Sequence, residues 1–314
     1  MAAFLFGGKM ENNLKVVETR LVLNELKSTE SIVNPEVLIR FVDRHISERD
    51  TELMSVIYLN SKCKVIDFDL CKTNTFEKNY KYILSQAIVK NSTSMCLVSN
   101  MDHEKAFDQT MMFSDACKLM GLKLFDHVCR HSSFLKIYGF GEDIAYHDKI
   151  SVESGTVVAE EPLSYLKTTS AIDMEFDAVQ SVCNELMDSD RENLYIVNYD
   201  KNNVPINCSV ASIGTYTMSP AEPSLLFKPA LLCGASSFAV IHNHPSGDPA
   251  PSSDDLSLFK RLYDAGHLLG LEMEDAVIIG SITGDKFSYR DSGEMDRMIK
   301  ESQHLVNYKK AGGR

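Results

Sequence analysis

The chain has 314 residues, an apolar content of 44% and a formal net charge of −12. This length suffices for two hydrophobic cores, and the negative charge disfavours sequence-independent binding to phosphate backbones. The sequence shows neither a membrane-spanning run of about 18 apolar residues nor a signal-peptide core, and its eight cysteines form no C-x-x-C pair. We therefore predict a cytoplasmic protein without membrane contact, disulfide framework or cysteine zinc site.

The chain contains an internal repeat. Residues 31–66 align without a gap with residues 171–206, at an offset of 140. In both segments the pattern predicts an amphipathic helix, an acidic turn, an alternating strand, a polar turn and a second strand. The correspondence continues in strands at 93–101 and 236–244, helices at 102–120 and 252–269, and strands at 120–128 and 269–277. Chance similarity is the alternative, and the gapless window of 36 residues weighs against it.

This repeat predicts an α/β fold with a mixed sheet flanked by helices, present in two tandem copies. The predicted units are a first copy at 1–145, a linker at 146–170, a second copy at 171–292, and a C-terminal helix and tail at 293–314. The last helix is indicated by apolar residues at helical spacing, among them Met295, Met298 and Ile299, and we expect it to pack against the protein or bind a partner.

Two histidines stand at the end of a predicted strand. The sequence "SSFAVIHNHPSG" is apolar and β-rich up to Ile241, and a proline and a glycine then turn the chain. Residues i and i+2 of a strand point to the same side, so His242 and His244 can face one point. Two imidazoles in this arrangement suit the first two nitrogen ligands of a tetrahedral zinc ion.

A carboxylate follows at the start of a predicted helix. Asp255 lies in "PSSDDLSLFKRL", whose apolar spacing is helical, so its side chain falls in the first turn, close to the strand end. It could be a third ligand and leave the fourth position for water, the pattern of a catalytic zinc. A plainer interpretation is that Ser252 and Asp255 form a capping box and that the H-x-H pair arises by chance. The conjunction of strand, H-x-H, turn and helix-start aspartate favours the metal site.

These residues resemble a known signature. The segment "HNHPSGDPAPSSDD" is similar to the H-x-H and S-x-x-D motif of the JAMM (JAB/MPN domain) metalloenzymes. Its residue sequence most resembles that of the bacterial RadC-like branch. The upstream "SIGT" at Ser212–Thr215 is also similar to that branch, and the resemblance extends over about residues 171–290. It implies a JAB/MPN-like, cytidine deaminase-like α/β fold.

The resemblance also implies the roles of individual residues. His242, His244 and Asp255 correspond to the zinc ligands, and Ser252 to the serine that supports the tetrahedral intermediate. Glu192, at the start of an upstream strand, corresponds to the general acid/base on the zinc-bound water. The alternative interpretation is that Glu192 is only a solvated carboxylate in a turn. Asp190 is the nearest competitor of Glu192 for the acid/base role.

The implied reaction is hydrolysis of a peptide or isopeptide bond with Zn²⁺ as the cofactor. The expected partner is a protein or peptide substrate, with ubiquitin-like conjugates among the candidates. Two alternatives stay open, a DNA-associated RadC-like repair protein or nuclease and a non-catalytic zinc-binding interaction module. The helix-hairpin-helix segment common in RadC proteins is not found in this sequence, which weakens the DNA alternative.

The first copy is predicted to lack the metal ligands. In the repeat alignment Ser99 and Met101 occupy the places of the two histidines, the following loop is about six residues shorter, and Glu52 matches Glu192. A shifted site that uses Asp102, His103 or Asp115 remains an alternative to a solvated helix start. We therefore expect a degenerate JAB-like domain that pairs with the second copy within the chain and binds substrate or braces its neighbour.

Overall fold

A computed structural model of the protein describes residues 13–23, 31–32, 35–45, 52–101, 103–131, 134–139, 162–173, 177–214 and 222–306. The elements of the first half are β1 (Asn13–Leu23), α1 (Pro35–His45), β2 (Leu53–Leu59), β3 (Val65–Lys72), α2 (Tyr80–Val89), β4 (Ser94–Ser99), α3 (His103–Met120), β5 (Lys123–His131) and β6 (Phe134–Gly139). No helix within the described residues is both long enough and apolar enough to cross a membrane.

The second half repeats this order of elements. They are β7 (Pro162–Asp173), α4 (Ala178–Leu186), β8 (Glu192–Tyr199), β9 (Pro205–Gly214), α5 (Pro223–Leu226), α6 (Lys228–Cys233), β10 (Ser237–His244), α7 (Ser253–Leu269), β11 (Glu272–Gly280), β12 (Lys286–Ser288) and α8 (Glu294–Val306). The predicted C-terminal helix is α8, whose Met295 and Met298 are buried.

Two mixed sheets share one strand order. The smaller sheet has the order β3-β2-β4-β5-β6, and the larger contains the corresponding order β9-β8-β10-β11-β12 and adds β1 and β7. In each sheet the third and fourth strands of this series are parallel and its other neighbours are antiparallel. The predicted α/β fold in two tandem copies is therefore confirmed.

The two copies also agree in local register. A bulge interrupts the parallel pairing between Met95 and Cys96 in the first copy, and between Phe238 and Ala239 in the second. The helices α3 and α7 both end at a left-handed glycine, Gly121 with φ 76° and Gly270 with φ 70°, a conformation that glycine adopts at little cost. Corresponding positions can therefore be compared residue by residue.

The sheet pairing departs from the predicted domain bounds in two places. Strand β1 comes from the range assigned to the first copy, but it runs parallel to β9 and antiparallel to β7 in the larger sheet. Strand β7 itself begins at Pro162, inside the predicted linker. The pairing is stabilised by burial of Leu14, Val16 and Ile172, and it covers the edge that β9 would otherwise expose.

Helices of the two copies pack together through one apolar core. Helix α2 contacts α6 and α7, and α3 contacts α5 and α7. This core includes Ile83 and Phe113 from the first copy and Phe227 and Phe259 from the second. Smaller clusters lie on the outer faces of the sheets, under α1 and under α4. Each sheet is thus covered by helices on both faces, and the inner helices join the copies.

Candidate metal centre

Strand β10 carries the two histidines to the end of the larger sheet. The strand is buried between β8 and β11, and the turn that follows it is closed by a hydrogen bond from the Gly247 N–H to the His244 carbonyl (3.0 Å). Gly247 has φ 85°, and its carbonyl oxygen lies so close to Gly280 that a Cβ on residue 280 would clash with it. A glycine is therefore needed at both positions to fold the loop back against the end of β11.

Helix α7 carries the aspartate. Ser252 is its N-cap, and the reciprocal hydrogen bonds of a capping box are present: the Ser252 Oγ accepts from the Asp255 N–H (3.2 Å), and the Asp255 Oδ2 accepts from the Ser252 N–H (2.8 Å). The capping interpretation of this segment is therefore confirmed. It coexists with the metal hypothesis, because the cap orients the Asp255 carboxylate toward the end of β10.

The three side chains converge on one point. The His242 Nε2 lies 3.6 Å from Asp255 Oδ1, and the His244 Nε2 lies 3.3 Å from Asp255 Oδ2. One potential ligand atom from each residue lies within 4.8 Å of the others, and this is the one such group of three or more found among the described residues. The side chains of His242 and Asp255 are almost wholly buried, at 2% and 4% exposure, and His244 is 13% exposed.

Backbone carbonyls fix the orientation of both imidazoles. The Nδ1 of His242 lies 3.0 Å from the Asn193 carbonyl oxygen, and the Nδ1 of His244 lies 2.8 Å from the Asp248 carbonyl oxygen. A carbonyl oxygen can only accept, so each Nδ1 carries a proton and donates it. In the neutral ring the lone pair is then on Nε2, the atom that faces Asp255. Such outer hydrogen bonds are typical of histidines that bind metals.

The charge state of the cluster also suits a cation. Burial lowers the pKa of His242, although the Asp255 carboxylate opposes this effect. A hydrogen bond with Asp255 raises the pKa of His244. Burial by itself raises the pKa of Asp255, but hydrogen bonds from His244 and Ser252 outweigh it and bring the value to about 2. The aspartate is therefore ionised and attracts a positive charge to the point between the rings.

Glu192 stands at the edge of this cluster. It is the first residue of β8 and is half-buried. Its negative charge favours the protonated form of both histidines, but this effect is smaller than those of burial and Asp255, and the pKa of His242 remains lowered. The competitor Asp190 has a side chain that is 93% exposed and lies 4.0 Å from the Arg191 guanidinium. Burial and the effect of its charge on the histidines thus favour Glu192 over Asp190, and the acid/base role of Glu192 stays a prediction.

Ser252 is bonded to the aspartate. Its Oγ donates to Asp255 Oδ2 at 2.6 Å. The hydroxyl has one proton, and in this arrangement the proton is used on the carboxylate. The structure thus gives Ser252 a part in orienting Asp255, and its predicted role toward a tetrahedral intermediate would require the proton to turn to the substrate.

The comparison with known proteins agrees with the fold. A family model described as the RadC-like JAB domain matches residues 32–136 and 172–294, which is more than half of the chain. The chain belongs to the RadC-like JAB domain family. One matched segment falls on each copy, so the first copy is a RadC-like JAB domain as well.

Curated relatives are bacterial proteins named UPF0758. The protein of Desulforamulus reducens is 37% identical over 145 residues, which cover 46% of this chain and 63% of that protein. The protein of Clostridium acetobutylicum is 35% identical over 117 residues, covering 37% and 50%, and that of Moorella thermoacetica 38% over 104 residues, covering 33% and 45%. This chain therefore spans about half the length of these relatives, and their names state no activity.

The RadC-like first copy holds a different structure at the corresponding place. Ser99 ends β4 where His242 stands in β10, and the glycines that end α3 and α7 place Ala106 where Asp255 stands. Ser99 Oγ lies 2.8 Å from the Nε2 of His127, a fully buried histidine of β5. Thr110 bonds to the other ring nitrogen and donates to the Ala106 carbonyl. Three polar residues and an alanine thus take the place of the ligand cluster.

The proton positions in this network follow from its acceptors. Because the Thr110 hydroxyl donates to a carbonyl, it accepts from the His127 Nδ1–H, and the Ser99 hydroxyl donates to Nε2. Burial lowers the pKa of His127 to about 3, so the ring is neutral. This arrangement agrees with the prediction that the first copy lacks metal ligands at Ser99 and Met101, the positions that correspond to His242 and His244.

Of the residues in the shifted alternative for the first copy, the structure describes the side chain of Asp115. The Asp115 side chain is 70% exposed and lies 3.3 Å from the Lys118 ammonium. Asp102 lies outside the described residues, as does the side chain of His103.

Sequence reasoning missed one residue of the second copy. Asn243 lies between the two histidines and is fully buried, and its amide bonds to the segment that carries Glu192. The signal in the sequence is the polar residue at the middle of H-x-H. It points to the opposite face from its neighbours and needs a buried partner.

Proposed function

We propose that the protein is a zinc-dependent hydrolase of the JAMM type, which cleaves a peptide or isopeptide bond. One observation carries the proposal: the Nε2 atoms of His242 and His244 face the ionised carboxylate of Asp255, and both rings are held in the metal-binding tautomer. Family membership agrees with this site, and the reaction goes beyond what the family alone establishes.

The donor set fits Zn²⁺. Two imidazole nitrogens and one carboxylate are typical of a catalytic zinc site with an open fourth position, whereas Mg²⁺ and Ca²⁺ prefer oxygen ligands throughout. A zinc ion supplies Lewis acidity, which polarises a carbonyl oxygen and lowers the pKa of water toward about 7. His242, His244 and Asp255 would hold it.

Glu192 performs the proton transfers of the proposed reaction. Its carboxylate accepts a proton from the attacking water, whose oxygen forms a bond to the carbonyl carbon. The carbon–nitrogen bond then breaks, and Glu192 returns the proton to the departing amine. Ser252 keeps Asp255 in position through its hydroxyl.

The charge around the site favours a protein substrate over nucleic acid. Exposed aspartates lie on each segment of the cluster: Asp188 and Asp190 before Glu192, Asp248 after His244, and Asp254 beside Asp255. Together with the net charge of −12 they repel phosphate groups. Tight, salt-sensitive binding of DNA would instead favour the DNA-associated alternative.

The test begins with metal content. Purified protein should contain about one zinc per chain and the His244→Ala variant almost none, because three protein ligands are needed to hold the ion. The matched control is His267→Ala, which removes an exposed histidine at the other end of α7.

Activity is then measured on the zinc-loaded protein. A mixture of synthetic peptides and lysine-linked isopeptides, followed by mass spectrometry, should show cleavage that 1,10-phenanthroline stops and added zinc restores. Cleavage that survives complete metal removal would contradict the proposal, as would the same zinc content in His244→Ala and in the parent.

A further inference from the structure

Asn243 makes an unusual set of hydrogen bonds. Its side chain points to the face of β10 opposite to the imidazoles and is 0% exposed. The Oδ1 accepts from the Asn193 N–H at 2.8 Å, and the Nδ2 donates to the Arg191 carbonyl and to the Ser281 hydroxyl, both at 2.9 Å. The amide orientation is set by chemistry, because the Arg191 carbonyl can only accept and the Asn193 N–H can only donate.

These bonds fall on either side of Glu192. The ladder between β8 and β10 runs from Ser237 opposite Tyr199 to His242 opposite Leu194. Glu192 lies beyond the end of this ladder. There the side chain of Asn243 bonds the two backbone groups that flank Glu192, and so continues the connection between the strands.

A third bond holds the same segment from the metal side. The His242 Nδ1–H donates to the Asn193 carbonyl oxygen at 3.0 Å. Among the described residues the Glu192 carboxylate itself makes no hydrogen bond or ion pair. The location of this carboxylate relative to the histidines therefore depends on its backbone. On one side this backbone pairs with Gly214 of β9, and on the side of β10 it is held by the side chains of Asn243 and His242.

We propose that Asn243 is a positioning residue, which holds the backbone of Glu192 so that its carboxylate reaches the water and the leaving amine. This inference rests on the proposed function. It predicts that Asn243 acts through Glu192 and leaves the metal ligands in place. Proton transfer is sensitive to distance, and a displacement of about 1 Å can cost about a hundredfold in rate.

The test compares two buried asparagines. Asn243→Ala should lower kcat by about ten- to a hundredfold, with unchanged KM and zinc content. The control Asn198→Ala removes an equally buried amide from the other end of β8, where the Nδ2 donates to Asn207 Oδ1 at 2.9 Å. It should leave kcat unchanged although it also weakens folding. Amide hydrogen exchange should accelerate at Asn193 in Asn243→Ala and not in the control.

A double variant separates positioning from a general structural effect. In the Glu192→Gln background Asn243→Ala should cost no further activity, because the group it positions is gone. An equal loss in both backgrounds would overturn the inference, and so would loss of zinc from Asn243→Ala or unchanged exchange at Asn193. An active parent whose Asn243→Ala variant is equally active overturns this inference alone, whereas a zinc-loaded parent without hydrolytic activity overturns the proposed function and this inference together.

Discussion

The two copies share their fold and differ in their chemistry at one place. Both have the same strand order, the same bulge and the same left-handed end of the crossover helix. At the end of the central strand, the second copy collects two histidines and an ionised aspartate. The first copy has a neutral histidine there, bonded to a serine and a threonine. The fold therefore accommodates either arrangement.

The difference between the copies bears on whether an ion would be needed for the fold or for chemistry. The first copy keeps its strand order with hydrogen bonds at the place of the ligands, so the fold itself does not require an ion there. Under the proposed function, an ion at this place would serve chemistry and would not be needed to hold the fold together. Helices α2 and α3 of the first copy pack against helices of the second copy through a shared apolar core, a contact that needs no chemistry in the first copy.

The largest expected effect comes from the glutamates that correspond in the two copies. Glu192→Gln should lower the rate of hydrolysis by about 10²- to 10⁴-fold, because the amide cannot accept the proton, and zinc content should stay unchanged. Glu52→Gln changes the same position in the first copy and should leave the rate unaltered. Rate assays of both variants measure the expected difference in activity, and elemental analysis of both measures their zinc content. Equal losses in the two variants would show that the first copy takes part in the chemistry.

A second comparison concerns one histidine of each copy, His127 and His244. His127 has a pKa of about 3, below its ordinary 6.5, so the unfolded chain binds its proton first as the pH falls. The stability that comes from keeping His127 neutral is fully present above about pH 6.5. As the pH falls from about 6.5 to about 3, the free energy of unfolding decreases by up to about 1.4 kcal/mol per pH unit. The pKa of His244 is shifted in the opposite direction, because the hydrogen bond with Asp255 raises it.

The measurement is an NMR titration with urea unfolding. In metal-free protein the His244 imidazole signal should titrate above pH 6.5 and the His127 signal should stay constant from pH 8 to 5. The free energy of unfolding should fall less steeply with acid in His127→Gln than in the parent. A His127 signal that titrates near pH 6.5 would contradict the neutral hydrogen-bond chain.

Much of this comparison could be predicted from the sequence, because local patterns determine it. The repeat, the strand that ends at His242, and the helix that starts near Asp255 follow from periodicity and capping. The pairing of β1 with β7 joins residues far apart in the chain, and no local pattern specifies it. The hydrogen bonds of Asn243 and His127 also depend on tertiary contacts, because the partners of each residue come from other elements.

The smallest expected effect concerns a position where the copies do not differ. Ser94 and Ser237 begin the corresponding strands β4 and β10 and are 1% and 3% exposed, and neither Oγ finds a hydrogen-bond partner among the described residues. Replacing such a hydroxyl by hydrogen removes an uncompensated desolvation cost and should raise the free energy of unfolding by up to about 1 kcal/mol. Because the position belongs to the fold and lies away from the ligands, Ser94→Ala and Ser237→Ala should have equal effects, measured by urea unfolding, and Ser237→Ala should keep its zinc. A loss of zinc in Ser237→Ala would mean that the chemistry of the second copy extends further along β10 than the three ligands and Asn243.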